Sequence, residues 1–238
     1  MWKKLFTPDE GGQPKNSRAR ISAWDVVVLS FKLFFQQIQF WIRPNIWMVL
    51  LSIPVITAPG AKAALYRTVA AGLRDPVLTH TDPRQEIKAG FLGNIWRALG
   101  LELIKWLVAA VIGISAWFWV TQDSWLLRSV AVINLYGFVL WWLAIGYLYP
   151  IANEKPKSSL LQIGKAALWI AFRRPFESML FAVVSTLLHL LGLVLLGPIL
   201  LVVPALRSIL HLQGYWYLTG QVIPGFMDLV EYTEKYYD

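Results

Sequence analysis

The chain has no cysteine and few charged residues. Among its 238 residues there is no Cys, and only 15% are Asp, Glu, Lys or Arg. Without thiols, the chain forms no disulfide, binds no metal through thiolates and has neither a Cys nucleophile nor an acylated Cys. Soluble domains carry about 25% charged residues. With 57% hydrophobic residues and a mean hydropathy of +0.52, we expect lipid to cover part of this chain.

Motifs for catalysis and nucleotide binding are missing as well. The sequence contains no GxxxxGK[ST], GxGxxG, GxSxG or HExxH pattern and no paired carboxylates in the middle of an apolar run. We therefore expect a protein that is not an enzyme, holds no cofactor or metal, and has no ATPase of its own to drive transport. The net charge of +8 is spread over loops, which indicates membrane topology rather than nucleic-acid binding.

The apolar runs predict an all-α fold, a polytopic bundle of transmembrane helices. Four segments approach the roughly 20 residues that a helix needs to cross a bilayer, and they are 99–121, 124–149, 176–196 and 198–218. A tight turn at Gly197 and Pro198 should join the last two as a helical hairpin. We expect a basic tail over 1–22, one transmembrane domain over 23–218 with one or two further spans at its N-terminal side, and a cytosolic tail over 219–238.

The region before residue 99 shows a less clear pattern of transmembrane segments than the four apolar runs after it. Segment 24–42 is helical in pattern, and one narrow polar stripe runs along it through Asp25, Lys32, Gln36, Gln39 and Arg43. Such a helix either lies in the membrane interface or spans with its stripe toward other helices, and both arrangements stay open. Segment 45–59 is short and interrupted by Pro54. Segments 86–98 and 158–172 are predicted to be amphipathic helices at the cytosolic surface.

Basic residues predict the orientation. Two connections rich in Lys and Arg should lie in the cytosol, and their basic residues are Lys62, Arg67, Arg74, Arg84, Lys88 and Arg97 in the first and Lys155, Lys157, Lys165, Arg173 and Arg174 in the second. The connection between them offers only Arg128 and should be external. The C-terminus and the basic N-terminus are then expected in the cytosol. We find no cleavable signal after the basic start. The predicted location is a cytoplasmic (inner or plasma) membrane, with the basic loops on its cytosolic side.

Ionisable residues within predicted spans are the candidates for function. Arg207 and His211 are one helical turn apart on the last span, and the hairpin should bring Arg207 within reach of His189. Arg207 is expected to bond carbonyls freed near Pro204 or polar groups of the adjacent span, such as those of Ser185, Thr186 or His189. These residues either stabilise the bundle or bind a substrate or a proton. The depths of His189 and His211 differ by roughly 9 Å, which disfavours a haem held by both.

Glu102 and Lys105 lie three residues apart at the start of the first clear span. The spacing places both on one face of a helix, where we expect a local ion pair at the interface.

A short signature resembles a known family. The segment Ser-Ile-Pro-Val-Ile-Thr-Ala-Pro-Gly at 52–60, followed by Ala-Leu-Tyr-Arg at 64–67 and preceded by Asn45, is similar to the signature of the YesL-like family of uncharacterised bacterial integral membrane proteins. Pro59 and Pro44 depart from that pattern. The resemblance implies a bacterial cytoplasmic membrane and no assigned catalytic residues. The family's frequent association with carbohydrate-uptake ABC transporters implies an accessory role in sugar import.

Three functions follow as hypotheses. The first is a non-enzymatic accessory or assembly subunit of a membrane complex, possible partners being other membrane-protein subunits and the lipid bilayer. The second is a small-solute carrier or channel that uses Arg207 and His211, with His189 as a further substrate-binding candidate; a polar cavity at their depth would favour it. The third is a subunit of a pigment or redox complex, which the 13 Trp residues and His189 suggest.

Overall fold

The computed structural model describes residues 21–75, 82–194 and 201–224, and every regular element in these ranges is helical. The elements are α1 (Ala23–Gln36), α2 (Ile38–Ser52), a 3₁₀ turn (Val55–Thr57), α3 (Ala58–Arg74), α4 (Pro83–Val120), α5 (Trp125–Ile145), α6 (Leu148–Glu154), α7 (Leu160–Arg173), α8 (Pro175–Val194) and α9 (Val203–Thr219). The predicted all-α class is confirmed for this part of the chain. The predicted turn at Gly197 and Pro198 and most of both tails lie outside the described residues.

The predicted single helix over 24–42 is wrong. Helix α1 begins with a capping box, in which the backbone N–H of Asp25 donates to the Ser22 hydroxyl over 3.2 Å and the N–H of Ser22 donates to the Asp25 carboxylate over 2.7 Å. The helix ends at Gln37, which has non-helical angles of φ −123° and ψ 31°, and α2 begins at the next residue. Because helical periodicity stops at Gln37, the expected polar stripe does not run on to Gln39 and Arg43.

Helix α9 lies at the centre of the bundle. Thirteen of its 17 residues are buried, and it contacts α1, α2, α3, α6 and α8. It ends in a left-handed cap at Gly220, with φ 72°, a conformation that glycine adopts without steric strain. The N–H of Gln221 returns to the carbonyl of Trp216 over 2.8 Å. The side chains of α9 therefore face other helices rather than the outside.

Helices α3 and α4 approach each other closely through small residues. A Cβ at Gly90 would lie 2.9 Å from the Cα of Ala64, so any larger residue there would separate the two backbones. This approach sets the polar side chains of α3 against those of α4. The same two helices carry most of the charged residues described below.

Three helices among the described residues, α4, α5 and α8, are long and apolar enough to cross a membrane. They cover most of the first three predicted spans, which is consistent with a membrane protein. The second span is shorter than predicted, because α5 stops at Ile145 and a turn at Gly146 and Tyr147 leads into α6. The described helix in the fourth segment, α9, starts at Val203 with 17 residues. A fourth span stays a prediction.

The first predicted surface helix, 86–98, is not a separate element. It forms the first turns of α4, whose 38 residues extend about 57 Å at 1.5 Å each, well beyond a hydrocarbon core about 30 Å thick. The second, 158–172, corresponds to α7, which starts with a capping box between Ser159 and Gln162. The polar first turns of α4 therefore continue directly into its apolar part as one helix.

Candidate functional site

A cavity of about 700 Å³, which we call the central cavity, lies beside α9, between α2, α3, α4, α6 and α8. Its apolar wall includes Met48, Trp106 and Leu193. Its polar wall combines ionisable, phenolic and hydroxyl groups from all six of these helices, and they are Ser52, Lys62, Tyr66, Glu102, Lys105, Tyr149, His189, Arg207, Ser208 and His211. The volume lies within the range of about 300 to 1,000 Å³ that is typical of ligand pockets.

Five side chains form one hydrogen-bonded network, which we call the arginine–histidine network. Arg207 donates through Nε to the hydroxyl of Ser185 over 2.9 Å, and its Nη1 lies 3.1 Å from Nδ1 of His189. The same Ser185 hydroxyl lies 2.8 Å from Nε2 of His211. On its other side, Nδ1 of His211 is hydrogen-bonded to the Tyr66 hydroxyl over 2.6 Å. The network therefore runs from α8 through α9 to α3.

A second cluster surrounds one carboxylate, Glu102. Lys62 donates to it over 2.8 Å, Tyr149 donates to it over 3.0 Å, and Lys105 is ion-paired with it one helical turn further along α4. The Glu102 side chain is only 12% exposed, so these donors supply most of its surroundings. The predicted ion pair between Glu102 and Lys105 is confirmed, and it belongs to a larger cluster than the sequence indicated.

Stacked rings connect the network to the carboxylate cluster. The ring of Tyr66 is nearly parallel to the ring of Tyr149, with centroids 5.2 Å apart, and to the imidazole of His211, at 6.2 Å. Three cations, Lys62, Lys105 and Arg207, thus share one cavity with the single carboxylate of Glu102. Among the described residues, the wall of this cavity carries an excess of positive charge.

The arginine–histidine network also borders a second, smaller cavity of about 270 Å³ between α5, α8 and α9. His189, Arg207 and His211 line both cavities. Gly146 allows the end of α5 to approach the imidazole, because a Cβ there would lie 3.3 Å from Nε2 of His211. The network therefore forms the partition between the two cavities.

The three residues predicted to bind a substrate, Arg207, His211 and His189, do lie together. Of the partners expected for Arg207, the structure shows Ser185 and His189. It does not show the carbonyl of Pro204, which accepts a hydrogen bond from Ser208 instead. Whether these residues bind a substrate stays a prediction.

Sequence reasoning missed five residues of the polar wall, and they are Ser52, Lys62, Tyr66, Tyr149 and Ser208. Lys62 and Tyr66 are four residues apart on α3 and therefore share a face. This spacing in the sequence could have indicated that Lys62 and Tyr66 face the same site. Tyr149 lies on α6, and its contact with Glu102 joins residues 47 apart in the chain, which no local pattern indicates.

The described residues contain no group of three or more His, Asp or Glu side chains able to hold a metal ion. Nδ1 of His189 faces the guanidinium of Arg207. A pigment or redox role stays a prediction, which the visible absorbance spectrum of the purified protein would test.

Comparisons with family models, curated proteins and solved structures found no match to this chain. The resemblance to the YesL-like family therefore stays a prediction.

Proposed function

We propose that this chain is a helical membrane protein that binds a small organic anion in its central cavity and carries it across the membrane. One observation supports this most directly: Lys62, Lys105 and Arg207 line a single cavity of about 700 Å³ with one carboxylate among them. Charged side chains within a membrane protein are costly, and they commonly mark substrate pathways. An anion would offset the excess positive charge.

The geometry favours a solute that has hydroxyl groups as well as a carboxylate. The guanidinium of Arg207 uses Nε and Nη1 in the network, and its planar fork suits a carboxylate oxygen on the remaining side. The hydroxyls of Tyr66 and Ser208 also line the cavity. Tyr66 is bonded to His211 and Ser208 donates to the Pro204 carbonyl, so their oxygens are left to accept hydrogen bonds from hydroxyl groups of a solute. Trp106, beside Lys105, supplies a flat apolar wall. A sugar acid such as gluconate matches this set of groups.

Binding of gluconate to the purified full-length chain tests the proposal. We expect gluconate to raise the stability of the protein in detergent, by about 2.7 kcal/mol at a hundredfold excess over Kd, and we expect neutral glucose to act far more weakly. Arg207→Gln should weaken binding at least tenfold. Arg128→Gln is the matched control, because Arg128 is exposed near the start of α5 and bonds only the Gln122 carbonyl among the described groups. No response to gluconate, citrate or phosphate would contradict the proposal.

Uptake measurements separate a carrier from a protein that only binds. Purified chain in lipid vesicles should take up labelled gluconate, and Arg207→Gln vesicles should not. Binding without uptake would reject the carrier function but would still support an anion-binding site.

An accessory or assembly role is the second candidate, and the outer helices favour it. The most apolar 18-residue stretch of α4 has no residue buried within this chain. Trp117 and Trp125 are 70% and 77% exposed near the tip of the α4–α5 hairpin. Gly113 shares one face of α4 with the small residues Ala109 and Ala116, and a Cβ at Gly113 would meet no atom within 4 Å. This face suits either lipid or a helix of another subunit.

Purification in mild detergent at native expression level tests this second role. This role predicts that subunits of another membrane complex, which the family resemblance implies to be a carbohydrate ABC importer, purify with the chain. Gly113→Leu should reduce their recovery, whereas Gly137→Leu should not do so if the face on α4 is the contact. A chain recovered alone would count against the accessory role.

A further inference from the structure

A third cavity lies at the end of the bundle where α3 ends and α4 begins. Its volume is about 340 Å³, and its charged and amide side chains are Arg67, Arg74, Arg97, Glu86, Asn94 and Asn153. We call it the mouth cavity. Leu101 and Tyr149 line both the mouth cavity and the central cavity. These two side chains are therefore the partition between them.

The arginines of the mouth cavity differ in their partners. Arg67 is paired with Glu86 over 2.9 Å, and Arg74 is paired with Glu154 over 2.6 Å. Arg97 instead donates to backbone carbonyls between α6 and α7, including that of Ser158 over 2.8 Å. Neutral carbonyls hold the guanidinium in place but do not cancel its charge. The mouth cavity thus has a fixed, uncompensated cation in its wall.

We propose that the mouth cavity is a second anion site, which captures the solute before it passes Tyr149 and reaches Arg207. The proposal rests on the proposed function and adds the path to it. Both cavities carry excess positive charge, and the side chains of Leu101 and Tyr149 separate them. The Tyr149 hydroxyl donates one hydrogen bond to Glu102 and its ring stacks on that of Tyr66, so rotation of the ring would break these two contacts. A carboxylate or phosphate group is the ligand chemistry that both cavities share.

Electrostatic capture predicts an effect on the association rate. A charged cavity raises the local concentration of an oppositely charged solute and can speed association by tenfold or more, an effect that salt suppresses. Removing a mouth-cavity cation should therefore slow association while it leaves dissociation from the central cavity unchanged. Removing Arg207 should instead weaken binding itself.

Stopped-flow mixing of gluconate with the full-length chain in detergent measures these rates, with tryptophan fluorescence as the signal, since Trp106 lines the central cavity. We expect Arg97→Gln and Arg67→Gln each to lower the association rate about tenfold at low salt, and much less in 0.5 M salt. Lys88→Gln is the matched control, because Lys88 is an exposed cation on the same end of α4 and lines none of the three cavities. It should bind at the wild-type rate.

The outcomes separate the two proposals. If the unaltered chain binds none of gluconate, citrate and phosphate, the proposed function fails. If it binds gluconate and both arginine variants associate at the wild-type rate, the mouth cavity is not a capture site and the inference is overturned. Wild-type rates together with loss of co-purifying phosphatidylglycerol in the arginine variants would also overturn it, because the cavity would then hold a lipid headgroup.

Discussion

Ser185 holds two side chains of the arginine–histidine network at once, so its removal tests that network directly. In Ser185→Ala, Nε of Arg207 loses an acceptor at 2.9 Å and Nε2 of His211 loses a partner at 2.8 Å. The serine is only 3% exposed, so water cannot easily replace its hydroxyl. Both remaining polar groups would be left buried without that partner, which destabilises the folded state.

The size of the effect follows from the two lost hydrogen bonds. Hydrogen bonds between helices of membrane proteins contribute about 0.6 kcal/mol on average and up to about 1.7 kcal/mol. Loss of both bonds of Ser185 should therefore lower the free energy of unfolding by about 1 to 3 kcal/mol. Ser178→Ala provides a matched control two turns away on the same helix. Ser178 is 0% exposed, and its hydroxyl has no hydrogen-bond partner among the described residues.

Unfolding in mixed micelles with increasing sodium dodecyl sulfate, followed by tryptophan fluorescence, measures both variants. We expect Ser178→Ala to unfold at the same detergent fraction as the unaltered chain or at a higher one, because the substitution removes a buried hydroxyl that has no partner among the described residues. We expect Ser185→Ala to unfold at a clearly lower detergent fraction. Equal stability of the two variants would refute the reasoning, because the hydroxyl of Ser185 would then contribute no more than an unbonded one.

Two further predictions follow. Gly146→Ala places a methyl group 3.3 Å from Nε2 of His211, so we expect the Kd for gluconate to rise about threefold to tenfold. Gly137→Ala is the control and should leave the Kd unchanged, because the added carbon has no atom within 4 Å. Equal Kd values for the two variants would contradict this prediction. Because the chain has no Cys, single cysteines can report topology: one at Lys157 should be shielded from an impermeant maleimide in intact cells, and one at Asp123 should react. Protection of position 123 would reject the orientation.

The α8–α9 pairing was predictable because two antiparallel helices joined by a tight turn have a fixed correspondence of levels. At 1.5 Å per residue, the predicted turn placed Arg207 near His189. In the structure, Nη1 of Arg207 lies 3.1 Å from Nδ1 of His189. The carboxylate cluster was not predictable in the same way. Lys62 and Glu102 are 40 residues apart, and their contact depends on how α3 crosses α4, which hydropathy does not encode.

The first helices show where local patterns fail. No Gly or Pro marks the break at Gln37, and yet α1 ends there. Pro44 looks like a breaker but lies inside α2. A proline within a helix frees one carbonyl and is tolerated in membrane proteins where neighbouring groups compensate. The next residue, Asn45, is fully buried and donates from its side chain to the carbonyl of Leu201 just before α9. Tertiary contacts thus decide the course of this region.

Helix α9 shows why hydropathy identifies the outer helices of this bundle better than its centre. An apolar face is required where a helix meets lipid, and the most apolar stretches of α4 and α5 are almost entirely unburied within the chain. Helix α9 is covered by other helices instead, so it can carry Arg207, His211 and Gln213 as long as each finds a partner. Gln213 accepts a hydrogen bond from the buried Ser30 of α1 over 2.6 Å. These polar residues lower the hydropathy of α9 and at the same time bind it to α1, α3 and α8. Of the four predicted spans, the last, whose described helix has only 17 residues, therefore carries the side chains on which the proposed site depends most.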